Sequence, residues 1–210
     1  MKIKLSVVLL LAALCALPTL SPAAQNPPPQ VESAALSTRL ALRDLWVEHI
    51  FWIRNYAIAN QAGNHQQADI ASQEVVSNAT AIANSIAPLY GQPAADQLLK
   101  LLAGHWGAVK QYSDASVKAS ASGKQAAVTA LTNNAKALAK FLATANPYLP
   151  QATLTTLLAA HGGHHIAQID ELGKKDYKAE AATWRQMREH ILSLADALTA
   201  ALVKQFPDKF

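Results

Sequence analysis

Five of the seven histidines in this 210-residue chain, His49, His105, His161, His165 and His190, lie on apolar faces of segments with helical periodicity. A buried imidazole without a partner costs on the order of 1–3 kcal/mol, so each must meet a hydrogen-bonding group, a ligand or a metal. Neutral imidazole ligates zinc, copper, iron and nickel. His161 and His165 are four residues apart, so both can reach one ion from the same side of a helix. Asn78 and Asn134 share inward lines with neighbouring apolar residues and are expected to hydrogen-bond around the site. The chemistry these residues suggest is transition-metal binding by core histidines. Haem is less favoured: without a Cys-x-x-Cys-His motif, only non-covalent bis-histidine ligation remains. The competing expectation is a structural or interaction bundle whose buried His and Asn groups form a ligand-free polar network that fixes helix register.

Other chemistries find less support. A di-iron carboxylate site needs Glu-x-x-His on two helices and a glutamate from each of two others, whereas Glu48-His49 and Glu189-His190 are adjacent pairs pointing about 100° apart. Glu74 and Glu180 fall near helix ends, where capping or solvation is expected. No nucleophile signature or glycine-rich phosphate loop is present, and no catalytic residue is assigned. His164 is expected to be half solvated.

These side chains must be positioned by helices, because alanine and leucine dominate and glycine is sparse. The stretch Leu42–Tyr56 is the most apolar and aromatic after the N-terminus, with Leu42, Leu45, Trp46, His49, Ile50, Trp52, Ile53 and Tyr56 on one arc. Six helices are predicted, over 34–61, 66–89, 93 to a break at 120–123, 124–145, 150–172 and 175–205. The short connections imply an all-α, antiparallel up-and-down bundle.

A shift of 56 residues superposes the second and third predicted helices on the fourth and fifth: Asn78 meets Asn134, Leu98 meets Leu154, His105 meets His161, Gly107 meets Gly163 and Asp114 meets Asp170. This reads as a duplicated hairpin. A weaker echo relates Glu48-His49-Ile50 to Glu189-His190-Ile191, and the two together predict a pseudo-two-fold molecule. Gly104, Gly107, Gly162 and Gly163, each costing roughly 1 kcal/mol against alanine in a helix, are expected to admit a close helix or ligand.

Residues 1–24 read as a signal peptide: Lys2 and Lys4, an apolar run from Leu5 to Leu17, then small residues around Ser21–Ala24. The run is short for a membrane span, and Leu14 is bulky where a lipidated Cys15 would follow a small residue. Cleavage would remove Cys15, the only cysteine, and leave no membrane anchor. It would also lower the formal charge from +4 by two lysines to about +2, spread along the helices, which argues against a nucleic-acid partner. Residues 25–33 form a Pro-rich spacer, residues 34–210 one helical domain, and the expected location is secreted or periplasmic.

Leu45-Trp46-x-Glu48-His49, Tyr90-Gly91, Asn146-Pro147-Tyr148 and Gln205-Phe206-Pro207-Asp208-Lys209-Phe210 resemble the motifs of a family of uncharacterised secreted bacterial helical-bundle proteins. The resemblance spans nearly all of the mature chain. It implies a single helical domain and supplies no catalytic residues.

Overall fold

Three tight turns of one design set the architecture. In each, a residue at positive φ is followed by a side chain that caps the next helix: Gly63 (φ 70°) before Asn64, Ala119 (φ 52°) before Ser120, and Lys175 (φ 59°) before Asp176. The caps accept from Gln67 N, Gly123 N and Ala179 N at 3.2, 3.1 and 3.0 Å. The N–H of each capping residue also reaches back to the carbonyl of Ala59, Ala115 or Glu171, the six-to-one bond of a Schellman ending. Equivalent residues of successive turns are 56 apart.

In this computed structural model, which describes residues 33–210, the turns join α1 (Ala34–Gln61) to α2 (His65–Ser85), α4 (Gln92–Val117) to α5 (Ala121–Ala145), and α6 (Gln151–Gly173) to α7 (Tyr177–Gln205). A one-turn helix α3 (Ala87–Tyr90) lies between the first two hairpins. The expected signal peptide, Cys15 and the spacer up to residue 32 lie outside the described residues. Among those described, no helix is long and apolar enough to cross a membrane.

The all-α bundle is as expected, and its symmetry is not. The repeat is a triplicated hairpin, α1–α2, α4–α5 and α6–α7, rather than a duplicated one. The first helices α1, α4 and α6 touch one another in all three pairings. Each second helix packs against its own partner and the first helix of the next hairpin: α2 against α4, α5 against α6, and α7 back against α1, closing a pseudo-threefold ring.

Two levels of matching side chains, seven residues apart, show that the inner helices run parallel and in register. His49, His105 and His161 meet at one level. At the next, Tyr56 donates to Asp114 at 2.8 Å and Tyr112 to Asp170 at 3.0 Å, each reaching the following hairpin.

Two predicted boundaries shift. Ser120–Gly123 does not end the third long helix, which stops at Val117; it caps and opens α5, whose first residue is Ala121 rather than Lys124. The second helix breaks at Ile86, ahead of Pro88, instead of continuing to Leu89.

Candidate metal centre

Each inner helix brings one histidine to the pseudo-threefold axis. Leu42, Trp46, His49, Ile53 and Tyr56 are buried along α1, and Leu98, Leu102, His105, Val109 and Tyr112 repeat that line on α4. On α6 the line reads Leu154, Leu158, His161, His165 and Gln168, so a second histidine replaces the aliphatic residue one turn past the first. The ring centroids of His49, His105 and His161 lie 5.7, 5.7 and 5.3 Å apart, close to an equilateral triangle. His165 sits off that triangle, 4.6–6.2 Å from its members.

One ligating nitrogen from each of these four residues falls within 4.8 Å of all the others. The side chains are only 1–6 % exposed, and the layer lies between two apolar clusters, one around Leu42, Leu102 and Leu194 and the other around Ile53, Val109 and Ile169.

The imidazoles are poorly satisfied. His161 and His165 share one hydrogen bond between Nε2 atoms at 3.1 Å. Both nitrogens of His49, Nε2 of His105 and Nδ1 of His161 have no partner. Burial pushes His49 down to about 3 and His105 to about 4, and holds His161 and His165 well below the ordinary imidazole value, with the neighbouring histidines adding to the effect for all but His105. All four are therefore neutral at pH 7; either His161 or His165 uses its lone pair to accept the bond between them, and the other three rings keep a lone pair free for a metal.

The remaining candidates do other work. His190 is not the counterpart of His49. It occupies the position of Asn78 and Asn134, and its ring stands 6.1 Å from His161 without joining the group. Asn78, Asn134 and His190 reach 33 residues back, to the carbonyls of Leu45, Leu101 and Leu157 at 2.9, 2.8 and 3.1 Å. A carbonyl only accepts, so His190 donates from Nε2. Asn78 and Asn134 thus make no hydrogen bond to the histidines; they hold each outer helix to its inner partner at the carbonyl one turn before the ring histidine. Asn78 also donates to Glu48 at 3.1 Å.

Of the four glycines near His105 and His161, only Gly104 admits a close neighbour: a Cβ there would meet Asn134 Nδ2 at 3.0 Å, while Gly107 and Gly163 face open space. Glu180 is neither capped nor solvated but buried, paired with Arg54 at 2.5 Å and accepting from Gln168. Asp114 and Asp170 serve the tyrosine level instead of a metal. His164 is half-buried beside His190, its pKa lowered by burial.

A cavity of about 70 Å³ opens on one side of the ring. No motif in the sequence marks it, although its lining follows the same 56-residue period: Ile82, Leu138 and Leu194, then Ile86, Leu142 and Leu198.

Compared with protein-family models, curated proteins and solved structures, the chain finds no match.

Proposed function

We propose that this protein binds one transition-metal ion at the axis of the bundle, through His49, His105 and His161 from three helices, with His165 hydrogen-bonded to His161 beside them, in an extracytoplasmic compartment. The observation that carries the reading is four buried, neutral histidines converging within 4.8 Å while four of their ring nitrogens have no hydrogen-bond partner. A ligand-free network would be expected to satisfy its own donors and acceptors, and only one bond joins these rings. A metal–nitrogen distance of about 2.0–2.1 Å requires the ligating atoms to draw together from their present spacing, which side-chain rotation supplies.

The donor set also favours one ion. No carboxylate belongs to the group, so the full charge of the ion enters an apolar layer. The Born cost of burial, of order 20 kcal/mol for a unit charge in the idealised case, grows with the square of the charge. Singly charged copper is the least costly of the imidazole-binding ions, ahead of divalent zinc, iron and nickel. Export is supported by the signal-peptide pattern of residues 1–24, and the resemblance to secreted helical-bundle proteins points the same way.

The test is elemental analysis of mature protein, exported without a histidine tag and purified without chelator, followed by reconstitution with each ion. One equivalent of metal per chain is expected, lost in a His105→Gln/His161→Gln variant that keeps its helical circular-dichroism spectrum. Trp46 stands edge-on to His49 at 5.6 Å, so copper binding is expected to quench its fluorescence. No metal retained after reconstitution with copper, zinc, iron or nickel would return the histidines to a structural role.

A further inference from the structure

We infer that the cavity beside the histidine ring is a binding pocket for a neutral diatomic molecule, placed to reach a metal held by the ring. The inference rests on the metal-binding reading for what the molecule meets there. His49, His105 and His161 line the cavity and His165 does not, so the ring separates the two. His161 keeps Nδ1 unpaired while its Nε2 is bonded to Nε2 of His165. Ligation through Nδ1 makes His165 the group that orients His161, as second-sphere partners of metal-binding histidines do. A metal held by the three ring histidines would lie beside the cavity that they line.

The size and lining of the cavity select the occupant. A volume of about 70 Å³ is about half that of an engineered cavity of about 150 Å³ that takes up benzene or xenon, which leaves room for only a few heavy atoms. Away from the imidazoles the walls are mostly hydrocarbon, including Leu102, Leu138 and Leu158, while Trp46 brings an indole N–H that has no partner. The polar groups at the far end are already paired: Tyr90 donates to Gln205 at 2.6 Å and accepts from Asn146 at 3.1 Å, and Gln205 donates to the Ala145 carbonyl at 3.0 Å. A charged ligand would find no counter-charge along the walls, whereas a neutral diatomic needs none, and cavities of this kind take up apolar atoms such as xenon.

Two measurements test this. Crystals of metal-free protein under xenon pressure are expected to show a xenon atom among Leu102, Leu138 and Leu158; a cavity that stays free of xenon, or is filled by ordered water, overturns the pocket. Protein loaded with cuprous ion is then titrated with carbon monoxide and followed by infrared absorption. A C–O band that shifts with isotopic substitution is expected. Ala135 lines the cavity without being a ligand, and Ala135→Leu, which adds three carbon atoms, should weaken carbon monoxide binding at least about tenfold at unchanged copper stoichiometry. Ala135→Val is the milder variant should leucine disturb the fold. Full copper occupancy without a carbon monoxide band, or a band indifferent to both variants, overturns the inference while metal binding stands. Failure to hold copper overturns both, and the stoichiometry tells the two failures apart.

Discussion

At the scale of single residues, four neutral imidazoles in one apolar layer make the metal-free protein sensitive to acid. An unfolded histidine titrates near 6.5, while His49 in the fold is pushed down to about 3 and His105 to about 4. The unfolded chain therefore takes up protons first. This contribution to stability is complete above about pH 6.5 and is lost as the pH falls through the window down to about 3–4. At about 1.4 kcal/mol per pH unit per group, each of these two costs about 2 kcal/mol by pH 5. His161 and His165 are shifted the same way and add to a loss comparable with a typical total stability of about 5–15 kcal/mol. Cooperative unfolding of metal-free protein is expected between about pH 6 and 4 by circular dichroism, with the midpoint displaced to lower pH by bound metal. A thermal midpoint indifferent to pH across that window would contradict the burial described for these rings. The inward placement of His49, His105, His161 and His165 was legible in the sequence because helical periodicity alone specifies it. The roles of Asn78 and Asn134 were not, because a side chain on an inward line can face either the axis or the neighbouring helix.

At the scale of elements, each hairpin is locked by one side chain from its outer helix to one carbonyl of its inner helix, and the third hairpin uses histidine where the others use asparagine. His190→Asn is therefore expected to preserve the bond to Leu157 and change stability by less than about 0.5 kcal/mol, whereas His190→Ala should cost about 1–2 kcal/mol, both read from urea unfolding. Equal losses in the two variants would mean that His190 matters for its ring and not for this bond. The turns make a second case. Gly63 takes its positive φ freely, while Ala119 holds φ 52°, a conformation disfavoured for a residue with a Cβ. Ala119→Gly should stabilise the protein by roughly 0.5–1 kcal/mol, and no gain in the urea midpoint would show that the turn carries no such strain. The 56-residue period was visible in the sequence and matched equivalent helices, α2 with α5 and α4 with α6, yet it pointed to two copies of a hairpin instead of three. Leucine and alanine matches carry little information in this chain, His190 interrupts the Asn78–Asn134 series, and the chance echo of Glu48-His49 with Glu189-His190 suggested a two-fold relation. The interval from His49 to His105, equal to that from His105 to His161, held the signal for the third copy.

At the scale of the whole molecule, the three hairpins form a closed ring, and the closure between the last and the first is chemically distinct. Lys124 on α5 pairs with Asp170 on α6 at 2.6 Å. The position 56 residues on from Lys124 is Glu180, on α7, and it pairs with Arg54 on α1, one turn before Ile58, the equivalent of Asp170, so the closing pair has its charges exchanged and one partner shifted. The closing pair is also the more buried, with the Glu180 side chain 4 % exposed. Removing one partner of a buried pair strands the other charge at a cost of about 3–5 kcal/mol, while replacing both with apolar residues of similar volume is often neutral. Arg54→Met is thus expected to lose about 3 kcal/mol, somewhat softened by the Gln168 donor that remains on Glu180, and Arg54→Met/Glu180→Met to regain most of it. The form of the transition matters as much as its midpoint. An open stack of hairpins is stabilised by nearest neighbours, so a terminal unit can unfold by itself. In a ring, α1 and α7 support each other, and both end hairpins contribute to the same histidine layer. Arg54→Met should therefore lower the urea midpoint while circular dichroism and Trp46 fluorescence remain coincident in one transition. Two separated transitions in that variant would show that closure holds the ring together only through this ion pair, and that the histidine layer contributes no cohesion of its own until a metal binds.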